Sequence, residues 1–523
     1  MRRAAPLSAG VLPFVLLALP ASAAAGQPGL PPAVRCGTME RLDRALLVPA
    51  RRRARILHPP AAGKTTRDSF GGWAHLRESD NFAVKWTSDD IGDADAGVAV
   101  ATLEESWSRY IGGLAQDLPT GADQFRVNAY VVGPNDALSI DFTGGYTDLD
   151  SEGYPYVVMS ADLFAPSADR DAVRHVLSHE FYHAVQFATG AFAGQEARWY
   201  WESTAEWASQ EVYPDLPDGY DLIGAFALTS ELAVFDGADP LMRSLSSYHQ
   251  YGVSVFFRYL VERSQSSTLV ADSWRSAGAQ DDPLDVVGGL LPDGDVAAAY
   301  REFAPHTALW DFAHRDLILT AVQSWTRNDP GVGRFVAGVG HSGTGGWTTI
   351  RDDRLPRAFG TNVVEMVRPD SGQLELSVEV EPAGSLGTPS TAQVTLVRES
   401  GAGITYTPIA LTGGAGAATA SLPEGEERAY LVVAATADTR STEEIFPYRF
   451  WVGRAVQPEP QPSADPDGEG GGCAVGGRSG RGSTAGALAA LLMLLARAGL
   501  GASSTPAGLR RGPRTEGSRP PSR

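Results

Sequence analysis

The chain has 523 residues, 43% of them hydrophobic and 20% charged, enough apolar material for two or three domains with substantial cores. Its formal net charge is −19, and the body is more acidic still, because Arg2, Arg3 and the arginines beyond Cys473 sit at the two ends. So acidic a body argues against nucleic acid and anionic membrane surfaces as partners. The two cysteines, Cys36 and Cys473, lie far apart and make no disulfide framework, and no C-x-x-C pair exists. Cys36 reads as an ordinary residue of the first segment, or as a thiol that pairs with nothing inside the domain.

Residues 1–23 read as a secretory signal. Arg2 and Arg3 give a positive start, Val11 to Leu19 a short apolar stretch, and Pro20-Ala21-Ser22-Ala23 a small-residue cleavage site. Residues 24–75 are a Pro- and Arg-rich lead with a helix expected over Met39 to Arg55; a propeptide is one reading of it, with no cysteine in a recognisable switch motif. Residues 76–345 form the expected catalytic domain. There Phe82 to Trp86 alternates like a strand, Ala94 to Leu114 has helical periodicity, and Phe125 to Val132 is a second strand ending at Gly133-Pro134-Asn135. Asp148 to Gly153 clusters carboxylates around a glycine. Position 12 of a calcium loop would be Met159, so a turn with solvated acids is expected. Tyr154 to Met159 is the third strand.

Val173 to Ala188 then reads as an amphipathic helix, with Val173, Val176, Leu177, Ala184, Val185 and Phe187 at helical spacing and Ser167 or Asp169 as its cap. Its centre is His179-Glu180-Phe181-Tyr182-His183, the HExxH pattern. On a helix the i, i+4 spacing puts both imidazoles on one face, where they can reach a single metal ion. Glu180 flanks that face, placed to take a proton from metal-activated water. His175, one turn earlier, reads as a supporting or surface residue, and Tyr182 as packing away from the metal.

After an eighteen-residue gap comes Glu202, within Trp199-Tyr200-Trp201-Glu202-Ser203-Thr204-Ala205-Glu206-Trp207. HExxH, this gap and a Glu opening a second helix resemble the gluzincin zinc metallopeptidases, with the spacing of their aminopeptidase branch. The resemblance implies an α+β zincin-like catalytic domain, with a small N-terminal sheet and a helical C-terminal lobe. It implies Zn2+ held by His179, His183 and Glu202, with Glu206 steadying a ligand histidine. It further implies that the strand before the motif helix, Tyr154 to Met159, is the sheet edge on which an extended peptide pairs.

From Glu196 to about Val339 a mostly helical stretch is expected. Tyr248 to Leu260 opens another amphipathic helix, and Tyr248, His249 and Tyr251 are candidate donors to an oxyanion. Core packing is the competing reading, since aromatic residues at helical spacing usually fill cores. Residues 351–454 carry seven short alternating segments between Gly and Pro turns, expected to form an all-β sandwich domain. Residues 455–472 read as a disordered linker and residues 473–523 as a sorting or anchoring tail. Gly471-Gly472-Cys473, the apolar run Ala485 to Ala496 and Arg497 resemble the MYXO-CTERM tags of myxobacterial surface proteins, although more residues follow Arg497 than such tags carry.

The expected function is therefore a secreted or surface-anchored zinc metallopeptidase, a hydrolase acting on protein or peptide substrates. The absence of a Gly-x-Met-Glu-Asn stretch upstream of His179 favours an endopeptidase. The alternatives are a non-catalytic surface adhesion protein with a structural or vestigial metal site, and a metal-dependent hydrolase of a non-peptide bond. Nothing in the sequence sets an oligomeric state.

Overall fold

A computed structural model of the protein describes residues 35–39, 41–42, 63–165, 168–237, 245–328, 337–339, 346–367, 372–388, 390–422, 428–438 and 440–454. The signal, linker and tail read at 1–23, 455–472 and 473–523 lie outside the described residues, as do Ser167 and most of the helix expected over Met39 to Arg55. The protein mixes helices and sheets: an N-terminal sheet, a helical middle and C-terminal antiparallel sheets. Among the described residues no helix is long and apolar enough to cross a membrane.

The first sheet contains β1 (Arg35–Cys36), β2 (His75–Glu78), β3 (Phe82–Trp86), β4 (Val127–Val132), β5 (Gly144–Leu149) and β6 (Pro155–Ser160), in the order β1-β5-β6-β4-β3-β2. Strands β3, β4 and β6 run parallel and are buried throughout. Runs such as Val127-Asn128-Ala129-Tyr130-Val131-Val132 therefore lack a polar face, as expected of strands covered on both sides. Helix α1 (Asp93–Trp107) covers one side and continues into a π-helical stretch, Ser108–Gly113, whose Tyr110 hydroxyl donates to the Ser178 carbonyl at 2.9 Å.

Two expectations fail here. The strand before the motif helix, β6, is not the sheet edge: β4 pairs on one side and β5 on the other. The outer position belongs to β5, whose Gly144-Gly145-Tyr146-Thr147 opening has too little apolar alternation to read as a strand, with the two-residue β1 laid against it. Two of the three acids of the β5–β6 loop are not solvated either: Asp148 and Asp150 are buried, while Glu152 is exposed. Asp150 accepts the backbone N–H groups of Glu152 and Tyr154, the Ser69 hydroxyl and the Arg67 guanidinium, so it ties the hairpin together. Burial alone would raise its carboxyl, but these donors hold it below the usual range.

Helix α2 (Arg170–Thr189) carries the HExxH stretch. Asp169 caps it by accepting the Asp171 N–H at 2.9 Å, and Gly190, at φ 68°, ends it in the left-handed region that favours glycine. Helix α3 (Arg198–Val212) lies against α2, with Trp199, Trp201 and Trp207 buried. Behind it come α4 (Ile223–Leu228), α5 (His249–Gly252), α6 (Ser254–Ser264), α7 (Leu269–Ser276), α8 (Pro283–Leu290), α9 (Val296–Phe303) and α10 (Arg315–Asn328).

The C-terminal part has β7 (Ala337–Val339), β8 (Thr348–Thr349), β9 (Gly360–Val367), β10 (Gln373–Val380), β11 (Ser390–Ser400), β12 (Gly403–Ile409), β13 (Ala415–Ser421), β14 (Arg428–Ala437) and β15 (Tyr448–Arg454). They form a sheet β13-β10-β15-β8 and a sheet β12-β11-β14-β9-β7, antiparallel except where β7 meets β9. Leu374, Leu376 and Val378 of one sheet share a core with Val364, Leu396 and Leu431 of the other. The opposite face of β14, with Tyr430, Val432 and Ala434, joins the main core that the helices share.

Strand β5 approaches α2 very closely. A Cβ added at Gly145 would lie 2.8 Å from the Glu180 Cγ, 2.9 Å from the Val158 carbonyl oxygen and 3.1 Å from the Val176 Cγ1. The Val158 carbonyl oxygen is sheet backbone and cannot give way cheaply, and the two side chains are buried around it. Gly145→Ala should therefore destabilise the protein by about 1–3 kcal/mol in urea unfolding; an unchanged midpoint would show that the strand and helix separate freely.

Candidate metal centre

The site is made where α2 and α3 cross. One helical turn separates His179 from His183, and their Nε2 atoms approach to 3.1 Å. From α3, the Glu202 Oε2 reaches to 3.1 Å from the His179 Nε2 and 3.5 Å from the His183 Nε2. A tetrahedral zinc with N and O ligands at about 2.0–2.2 Å would set its donors about 3.3–3.6 Å apart. The three observed separations lie close to the edges of that tetrahedron. The other oxygen of Glu202, Oε1, is buried without a hydrogen-bond partner.

Neighbouring side chains fix which imidazole nitrogens face the centre. The Gln186 Nε2 donates to the Trp201 carbonyl and the Thr204 hydroxyl, both at 2.9 Å. Its Oε1 must then be the atom facing the His183 Nδ1 at 2.5 Å, so that nitrogen carries the hydrogen and Nε2 is left with a lone pair. Glu206, one turn beyond Glu202 on α3, places Oε2 at 3.1 Å from the His179 Nδ1, which directs the His179 Nε2 to the same centre. His175 supports from behind, with its Nε2 3.4 Å from the Glu206 Oε1.

Acceptor atoms this close repel unless a cation lies among them. In the metal-free chain a proton takes part of that role. Burial would lower the His179 pKa, but hydrogen bonds and charge from Glu202 and Glu206 outweigh it and raise it to about 10. Burial would raise Glu202, yet His179 and His183 hold it down to about 2. One proton lies on one donor–acceptor line only, and it leaves the 3.5 Å approach of His183 to Glu202 without a hydrogen. The donor set, the spacing and the orphaned oxygen all fit a divalent cation such as zinc.

Glu180 is buried on the flank of the pair, as its place after His179 implies. Its Oε2 accepts the Thr38 hydroxyl at 2.8 Å and the Thr147 hydroxyl at 3.1 Å. Of the three candidate oxyanion donors, the structure brings one to the site. Tyr251 has its ring centroid 5.9 Å from that of His179 and lines a small cavity with Cys36, His175, Glu180, Glu206 and Leu222. His249 is turned the other way, its Nε2 3.1 Å from the Ala233 carbonyl and its Nδ1 2.9 Å from the Thr229 hydroxyl. Burial lowers it to about 4, so it is a neutral core residue. The Tyr248 ring packs on Trp325. Tyr182 packs in the core and accepts from the Gln116 amide at 2.6 Å.

Cys36 is a free cysteine, as the sequence reading expected, but that reading missed its place at the centre. Its Sγ lies 3.4 Å from the His183 Nε2, and one donor atom each from Cys36, His179, His183 and Glu202 fall within 4.8 Å of one another. Burial first, then the charges of Glu180 and Glu202, push its thiol well above the ordinary value while no metal is bound. A surface groove along α1 and the loop after α3 contains none of these donors.

A comparison with the curated proteins finds no match. A family profile described as a family of unknown function, DUF6055, matches residues 64–449, which include α2, α3 and the C-terminal strands up to the start of β15. The chain belongs to the DUF6055 family.

Proposed function

We propose that the protein is a zinc-dependent peptidase with a zincin-like arrangement, in which His179, His183 and Glu202 hold the metal and Glu180 is the general base. One observation carries the reading: three acceptor atoms from two helices converge at tetrahedral-edge separations, with their outward atoms held by Gln186 and Glu206. The motif helix and the helix supplying the glutamate also follow one another in the order that the gluzincin resemblance implies. Zinc bound there would supply Lewis-acid activation of a water and of a substrate carbonyl.

The chain's own residues supply the rest. Glu180 takes the proton of the attacking water and delivers it to the leaving amine. Glu206 keeps a hydrogen on the His179 Nδ1, and Gln186 does the same for His183, so both rings stay oriented. Tyr251 is the residue placed to donate to the oxygen that gains charge. The sequence of residues 1–23 supports action outside the cytoplasm, and the tail at 473–523 supports attachment to the cell surface.

A second reading has its own observation. Four protein donors, counting Cys36, make a closed set, and closed sets are the pattern of structural zinc. On that reading the protein is a non-catalytic surface protein whose antiparallel sheets do the binding.

Glu180→Gln separates the two. The peptidase reading expects about one zinc per chain in both proteins and a loss of turnover on a peptide library of about 100- to 10,000-fold. Equal, zinc-independent behaviour of both proteins would favour the structural reading. Tyr251→Phe should keep its zinc and lower kcat by about 100-fold or more with little change in KM; a pure KM effect would remove the oxyanion role.

Zinc loading at pH 7 should expel about one proton from His179, because metal binding requires a neutral His179 Nε2, and about one more where the Cys36 thiol also binds. Calorimetric titration in buffers of different ionisation enthalpy measures this, and a proton count of zero would mean His179 is already neutral. In zinc-free protein the raised His179 contributes stability fully below its ordinary value of 6.5, and that contribution is lost as pH rises toward about 10. The depressed Glu202 acts in the opposite sense: its contribution is present above 4.5 and lost as pH falls toward about 2.

A further inference from the structure

We propose that the segment from Cys36 to Thr38 is a built-in inhibitor of this centre: the Cys36 thiolate completes the metal's coordination and the Thr38 hydroxyl caps Glu180 until the segment is displaced. This rests on the peptidase reading above and says what holds the site closed.

Three features of the site are covered by one short stretch. The first is the coordination vertex that a catalytic zinc leaves open. A thiolate at about 2.3 Å from zinc would lie about 3.6 Å from a ligand nitrogen, and the Cys36 Sγ is 3.4 Å from the His183 Nε2. On binding, the thiol proton passes to solvent and the sulfur lone pair becomes the fourth donor. The second is the base. Thr38 donates its hydroxyl to the Glu180 Oε2 at 2.8 Å and accepts the Thr147 N–H at 2.8 Å, so it stands where a reacting water would need to meet that carboxyl. The third is the sheet edge. Cys36 is in register with Gly145 of β5, and the Gly37 N–H donates to the Gly145 carbonyl at 2.8 Å. An edge strand is a template for any extended chain, and here the protein's own chain fills it.

The segment also lies in front of the span that the family model matches. His179, Glu180, His183, Glu202, Glu206 and Tyr251 all lie within the matched span 64–449, whereas Cys36 to Thr38 precede it. A permanent ligand would be expected inside the unit it stabilises. A removable one can be appended in front. Buried Met39 and Leu42 anchor the stretch to the main core beside the site. Gly37 lets the segment pass close to Phe142, since a Cβ there would lie 2.8 Å from the tip of that ring.

The test uses the full chain in a Cys473→Ala background, so that Cys36 is its one thiol, loaded with Co2+ or Zn2+. The cobalt protein should show a near-ultraviolet thiolate-to-metal charge-transfer band, and Ellman's reagent should react with Cys36 only after chelation. In Cys36→Ala the band should vanish and the metal stay. Acetohydroxamate, used as a probe for a free vertex, should bind that zinc protein about tenfold or more tighter than the parent, because no fraction is held closed. Thr38→Val, which leaves the thiol in place, should show a smaller gain in the same direction. No charge-transfer band in the parent overturns the proposal, as does loss of metal from Cys36→Ala, which would make the thiol a permanent ligand. Hydroxamate binding gained without any peptide cleavage would leave the inhibitor standing and remove the peptidase reading.

Discussion

The approach of Glu202 on α3 to the paired imidazoles on α2 is the constraint on which the rest of the site depends, because the donors come from separate helices and must agree to within a fraction of an ångström. Sliding α3 by one residue would move Glu202 by about 1.5 Å along the axis and about 100° around it, out of reach of both rings. The aromatic run of α3 prevents this. The Trp201 indole donates to the Phe192 carbonyl at 2.8 Å, and its own carbonyl accepts from Gln186, which in turn holds His183. The residue that packs α3 in place is thus linked by hydrogen bonds to a residue that orients a donor. Packing and site geometry share the same atoms.

Concentrating Glu180, Glu202 and Glu206 in the interior carries a high desolvation cost, since a buried carboxylate needs a compensating cation or donor. The opposed behaviour of His179 and Glu202, one pushed up and the other down, is the metal-free chain's response: a proton becomes the cation. That solution is local. It leaves the second oxygen of Glu202 unpartnered and cannot serve all three donor lines at once. A divalent ion would serve them together, so metal affinity and local stability are linked at this point.

What could be read from sequence followed the range of the signal. Helix α2 was legible because its periodicity, cap and two histidines all lie within one element. Glu202 required a gap length and a family resemblance, since nothing near it says that it faces His179. The choice among Tyr248, His249 and Tyr251 was not legible: α5 is a single turn flanked by other short helices, so regular spacing cannot tell which side chain points to the centre. Cys36 gave no local signal at all. A two-residue strand is held by backbone hydrogen bonds, which any side chains permit, and its partner β5 opens with two glycines that hide its own strand character. The seven C-terminal strands were legible from segments between turns, β14 among them although both of its faces are buried.

The same geometry explains why an inhibitor and a substrate would compete for one place. Thr147 of β5 donates to the Glu180 carbonyl at 2.6 Å and also lies 3.1 Å from its carboxyl Oε2, so the edge strand is tied to the helix that carries Glu180. Gly145 removes the side chain that would hold the two elements apart. Any chain that pairs with the outer edge of β5 is thereby delivered to Glu180 and the metal donors at a fixed distance. On the peptidase reading this is how a scissile bond would be aligned. It is also why a segment that offers sulfur and a hydroxyl at that edge, in place of a peptide carbonyl and a water, meets the same two catalytic groups and leaves them with nothing to cleave.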